Sequence, residues 1–178
     1  MVHAFTSPGF RVVAAVSVPP LRDDYRQRAQ LVETFDLAES SDYLFLAAGP
    51  ATRDWPNLVV EQRYSPGPIS GFQPGIHVAE DASTLFVGAG TRILAYDLAA
   101  PRRLWESTVD CGFWGWRQHG AIVIMSAELE LAAFGAQGAR LWSRSVEPPW
   151  HYTETAGRIQ LNVMGEVTEF PIAVGPRS

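Results

Sequence analysis

Part of the chain repeats itself. Set without a gap against Ile122–Val146, the stretch Leu85–Val109 matches at seven of 25 positions, an offset of 37 residues. The identities are Leu94/Leu131, Ala95/Ala132 and Ala99/Ala136, then Arg103-Leu104-Trp105 against Arg140-Leu141-Trp142, and Val109/Val146. Leu85/Ile122 and Val87/Ile124 are conservative pairs, and a further step of 37 reaches Ile159 and Leu161, with Val167 following, so a third copy begins. Self-similarity at this spacing marks a unit that cannot bury its own apolar faces and must stack on its neighbours. Each copy reads as a short apolar strand, a tight turn, a second strand, a turn, and a third strand opening on Arg-Leu-Trp. The expected class is all-β with one short N-terminal helix: a small β-propeller-like or stacked antiparallel β-sheet repeat.

At these residues the sequence resembles a known family. Ala95-x-Asp97-x-x-x-Pro101-x-x-x-Trp105 and Ala132-x-Phe134-x-x-x-Gly138-x-x-x-Trp142 look like the Ala-x-Asp-x-x-x-Gly-x-x-x-Trp motif of pyrroloquinoline-quinone-type (PQQ-like) β-propeller repeats. The resemblance covers roughly Gly75–Val174 and implies that each Trp packs between adjacent blades. Each copy departs once, with Pro101 for Gly and Phe134 for Asp. The quinone and calcium contacts have no counterparts, so no cofactor is expected.

The whole chain reads as one domain: residues 1–64 with N-terminal strands and a helix, a Pro/Gly connection over 65–75, and repeats of period 37 over 76–174. Phe10–Val18 is a β-branched run stopped by Pro19-Pro20. In Leu21–Ala29, Leu21, Tyr25 and Ala29 fall four apart behind Pro20, which predicts a short helix. Tyr43–Ala48 and Leu58–Tyr64 have strand composition, and Leu31–Leu37 fits either a strand or a continued helix. At a period of 37, 178 residues amount to 4.8 units, and propellers have about 4–8 blades. The ring is expected to close, with Phe10–Val18 completing the last sheet. The competing expectation is an open arc whose uncovered edge invites a homodimer.

Charge and cysteine usage exclude several classes of function. All 14 basic residues are Arg, there are 19 Asp and Glu, and the net charge is −5. That balance lacks the dense positive field with which proteins displace counterions from nucleic acid. Cys111 is the single cysteine, so neither an internal disulfide nor a multi-cysteine zinc site can form, which suits a cytoplasmic setting. Arg11 and Pro19-Pro20 interrupt the early apolar run, so no export signal is read, and the long uncharged stretch Tyr64–Ala79 is too rich in Pro and Gly to span a membrane. The absence of Lys, with only two Asn, fits a GC-rich bacterial coding sequence.

The densest aromatic segment, Cys111-Gly-Phe-Trp-Gly-Trp116, joins the first two repeats. Phe113, Trp114 and Trp116 suit either inter-blade packing or a recognition platform. Ser70-Gly71-Phe72 precedes the first repeat as Cys111-Gly112-Phe113 precedes the second, which favours packing for Phe113. Trp150 and His151, in Pro148-Pro-Trp-His-Tyr152, complete the candidate binding set. No catalytic set emerges: Cys111 and His119 lack an orienting partner, and His3, His77, His119 and His151 have no ligand spacing. Asp23-Asp24, Glu80-Asp81 and Glu128/Glu130 read as surface or turn carboxylates. Gly88-Ala-Gly90 precedes a strand and so lacks the helix N-terminus of a phosphate loop.

These features point to a non-enzymatic module that binds a protein partner, of an immunity or regulatory type. Two other classes stay open: a small hydrolase or lyase with a central pocket, and a carbohydrate or small-ligand binder that stacks on exposed Trp.

Overall fold

The computed structural model describes residues 2–7, 9–38, 40, 42–80 and 83–177, with backbone alone for 2–7. Four small sheets follow one another along the chain. The first holds β1 (Val2–Ser7), β2 (Phe10–Ala15), β3 (Leu31–Phe35), β4 (Asp42–Pro50) and β5 (Leu58–Tyr64), in the order β1-β2-β4-β5-β3. The second is β6 (Gly75–Val78), β7 (Thr84–Ala89), β8 (Arg92–Asp97) and β9 (Arg102–Thr108). The third is β10 (Phe113–His119), β11 (Ile122–Ala127), β12 (Glu130–Gly135) and β13 (Arg140–Ser145). The fourth has three strands, β14 (Trp150–Thr155), β15 (Arg158–Val163) and β16 (Glu166–Pro171). Pairing is antiparallel throughout except for β3 beside β5, which is parallel because α1 (Arg22–Arg28) lies between β2 and β3 in the chain. The segment read as Leu31–Leu37 is thus a strand over Leu31–Phe35, not a continuation of the helix.

The sheets are held face to face by separate apolar layers. Leu44, Leu46, Leu58 and Val60 of the first sheet meet Leu85, Val87, Leu94 and Tyr96 of the second. Phe86, Ile93 and Ala95, on the other face of the second, meet Phe113, Val123, Met125 and Phe134 of the third. Ile124, Leu131 and Ala133 then meet Trp150, Ile159, Leu161 and Phe170 of the fourth. Strands buried on both faces lose the usual alternation, and β7 is buried at every position. At roughly 1.5–3 kcal/mol for each large apolar side chain removed from water, these layers dominate the stability.

Both indoles of the repeat perform the same task. Trp105 stacks on Phe134 of the next sheet, with ring centroids 4.9 Å apart, and its Nε1–H donates to the Gly138 carbonyl at 2.6 Å. Trp142 meets Phe170 of the next sheet edge-on at 5.4 Å and donates to the Ile172 carbonyl at 2.6 Å. Each Trp therefore pins its own sheet to the following one.

The ungapped offset of 37 is nonetheless out of register within the hairpins. Trp105 pairs across the ladder with Ala95, and Trp142 with Ala133, so the equivalent alanines are 38 apart and Ala132 is the counterpart of Leu94. The turn Leu98–Pro101 spans one residue more than its equivalent Ala136–Gly138, which restores 37 at the tryptophans. From the third sheet to the fourth the spacing is 36: Val123 and Met125 correspond to Ile159 and Leu161, and Phe134 to Phe170. A one-residue slip in a strand exchanges its two faces, so the distinction decides which side chains enter which layer.

The ring does not close. Phe10–Ala15 pairs with β1 and β4 inside the first sheet and not with the fourth sheet, where closure had been expected. The residues explain why. On the face that looks toward the next sheet, the third sheet carries Ile122, Ile124, Leu131 and Ala133, and the equivalent positions of the fourth are Arg158, Gln160, Val167 and Glu169. A polar outer face of this kind terminates a stack of repeats.

At the other end, α1 covers the first sheet. Tyr25 and Ala29 pack with Phe45, Ala47 and Val59, as their spacing predicts, whereas Leu21, the third residue of that spacing, precedes the helix and is exposed. A seven-residue helix is too short to persist alone. It is anchored by Glu61, 2% exposed, which accepts bonds from Arg22 Nη2 at 2.8 Å, Arg26 Nη1 at 2.6 Å and the Tyr43 hydroxyl at 2.9 Å.

Candidate functional site

The structure separates the five aromatic and histidine candidates. Phe113 is fully buried between the second and third sheets, so it packs and presents nothing to a ligand. Its ring occupies the space that side chains would take at Gly75 and Gly88, where a Cβ would lie 2.7 and 2.6 Å from ring carbons. Trp116 leans into the same layer, 5.2 Å from both Phe86 and Phe113 and edge-on to Phe134 at 6.0 Å. Its buried indole N–H has no acceptor among the described residues.

Trp114 differs in kind. Phe113 pairs with Ala127 and Gly115 with Ser126, so Trp114 is the extra residue of a β-bulge in β10. The straight strand β14 has no such insertion, and Trp150, its first residue, corresponds to Phe113. A bulge leaves one residue outside the ladder and re-aims its side chain. The Trp114 indole is 41% exposed and lies nearly parallel to Trp150, 5.1 Å and 19° away. Trp150 is itself buried and donates to the Glu128 carbonyl at 2.8 Å, which fixes the platform under Trp114.

Trp114, Trp116, Arg117, Trp150, His151 and Tyr152 line one hollow of about 310 Å³ where β10 meets β14. Four of the candidates thus come together, joined by Tyr152 of the same Pro148–Tyr152 stretch and by Arg117, which no motif marks. Tyr152 is the counterpart of Trp116 on the next sheet. Burial raises its hydroxyl pKa, only partly opposed by Arg117, so it is a neutral donor at physiological pH. Its oxygen lies 3.5 Å from His119 Nε2, and His119 Nδ1 meets Glu154 Oε2 at 3.1 Å.

Other candidate chemistries are dispersed. Cys111 sits in the turn before β10 and His119 at its far end, about 20 Å apart along an extended strand, so thiol and imidazole cannot pair. His77 bonds to Gln118 at 2.8 Å. Glu130 is raised by burial despite Arg140 at 3.0 Å. Asp97 is pushed up by burial but ends below its ordinary range, because the amides of Ala100 and Ala99 and the Ser83 hydroxyl donate to it. Asp81 lies outside the described residues, as does the His3 side chain.

No family model and no curated protein matches the sequence. Among solved structures the chain is similar to the computationally designed Ika4 protein, with a TM-score of 0.41 and 14% identity over 59% of this chain and 69% of that one. It is similar to BamB from Moraxella catarrhalis, with 0.44 and 15% over 85% of this chain, and to KlHsv2 with loop 6CD replaced by a Gly-Ser linker, with 0.48 and 9% over 96%. The chain spans 50% of the length of each of those two. The fold assignment rests on the chain's own sheets, which form an open, propeller-like stack. Among the described residues no helix is long and apolar enough to cross a membrane.

Proposed function

We propose that the protein is a non-enzymatic binding module and that the Trp114–Trp150 hollow is where it takes a protein partner. The observation that carries this reading is the bulge: one residue is added to β10, it is a tryptophan, and it stands outward on a second, buried tryptophan. A half-exposed indole supported from beneath loses little freedom on binding and buries a large area, as the anchors of protein interfaces do. Arg117 and the neutral Tyr152 hydroxyl supply donors around it, a combination enriched in such interfaces. Neither Cys111 nor a carboxylate lines the hollow, so the Ser126 hydroxyl and the His151 imidazole, which do line it, have no acidic partner there to orient them.

Affinity capture from a lysate of the source organism, with the wild type beside Trp114→Ala, tests the proposal. A protein retained by the wild type and lost from the variant supports it. Identical retention on both, or quenching of tryptophan emission by an oligosaccharide that Trp114→Ala abolishes, would replace it with another surface or with the carbohydrate reading.

A further inference from the structure

The fourth sheet is one strand short of the two before it. β9 and β13 run along β8 and β12, whereas β16 has β15 on one side and no strand on the other among the described residues. Exposure follows from this. Ile93–Tyr96 of β8 and Leu131–Phe134 of β12 are buried, and in β16 Phe170 alone is.

Beside the open edge is a trough of about 580 Å³ lined by Thr168, Glu169 and Phe170 of β16 together with Arg144, Arg158 and Arg177. Arg144 stands opposite Leu131 on β13, on the face turned toward the fourth sheet. Arg158 is engaged by Glu169, and neither Arg144 nor Arg177 meets a carboxylate among the described residues. Among the described residues, a chain of net charge −5 thus concentrates three guanidiniums against one carboxylate at the position of a missing strand.

We propose that this edge binds an extended acidic segment of a partner protein, which adds to the fourth sheet as its outer strand. The main chain of Glu166–Phe170 supplies the ladder of hydrogen bonds, and Arg144 and Arg177 receive the segment's carboxylates. Strand addition takes its affinity from the backbone and its selectivity from such side chains. The surface is separate from the tryptophan hollow, and the inference stands independently of it.

The test titrates the full chain with a labelled six-residue peptide of alternating Glu and Val, followed by anisotropy and by hydrogen exchange. The peptide is expected to bind and to slow exchange of the β16 amides. Arg144→Glu with Arg177→Glu should weaken it about tenfold or more, Arg144→Gln less, and Trp114→Ala not at all. N-methylation of the peptide at alternate residues should abolish binding in one register and spare it in the other, because alternate amides of a strand face the same side. The proposal is overturned if a Lys-Val peptide binds equally well, if both N-methylated registers bind alike, or if millimolar peptide leaves β16 exchange unchanged.

Discussion

Removing Glu61 and removing its two arginines should have very different costs, although each breaks the same ion pairs. The Glu61 side chain is 3% exposed, whereas Arg22 and Arg26 are 35% and 34% exposed. In Glu61→Leu both guanidiniums can turn to water, so the loss is that of partly screened pairs and one Tyr43 bond, about 1–2 kcal/mol. In the double variant Arg22→Ala/Arg26→Ala the carboxylate stays beneath the helix with Tyr43 as its one remaining donor among the described residues, and the cost rises to about 3–5 kcal/mol. Acid separates the cases further. Burial acts to raise the Glu61 pKa, but bonds from Arg22, Arg26 and Tyr43 outweigh it, so the folded-state value lies below the ordinary 4.5. The carboxylate's contribution is therefore complete above that ordinary value and is lost as pH falls through the lower folded one. Urea unfolding of the three proteins at neutral pH, repeated through the acid range, measures both effects. Equal stability of the double-arginine variant and Glu61→Leu, or parallel acid loss in the wild type and Glu61→Leu, would refute a desolvated carboxylate clamped by α1.

Gly88→Ala should destabilise by about 1–3 kcal/mol in urea, because its Cβ would lie 2.6 Å from the Phe113 ring, whereas Gly115→Ala, with nothing within 4 Å, should change stability by less than about 0.5 kcal/mol. Trp142→Phe keeps a ring against Phe170 but removes the donor to the buried Ile172 carbonyl, and should cost about 1–3 kcal/mol by the same assay. Converting the outer face of the fourth sheet with Gln160→Ile and Glu169→Ala re-creates the apolar character of the preceding interface; sedimentation should then show self-association absent from the wild type.

What the sequence revealed was the stacking; what it concealed was register and closure. Arg-Leu-Trp at a fixed spacing marked the two latches because an indole between sheets tolerates few substitutes. The single offset of 37 lies between the 38 that relates the hairpins of the second and third sheets and the 36 that relates the third to the fourth, and no local signal distinguishes Ala95/Ala132 from Ala95/Ala133 when both alanines are buried. Closure failed for a reason that was legible only with the register corrected: Arg158, Gln160 and Glu169 then fall on the face that should have been apolar. The bulge at Trp114 could not be read from one strand, since pairing defines it. Within Leu58–Tyr64 nothing local marks Glu61 as an anchor, yet Arg22 and Arg26, four apart on a short helix with Tyr25, present two cations to whatever lies beneath.

The central claim is that the second sheet is fastened to the third, and the third to the fourth, through a tryptophan. A double-mutant cycle on Trp105→Ala and Phe134→Ala, whose rings stack at 4.9 Å across the second and third sheets, measures that fastening directly. The account predicts a coupling of about 0.5–1.5 kcal/mol between the two changes, while strictly additive losses would show that these rings do not hold neighbouring sheets together.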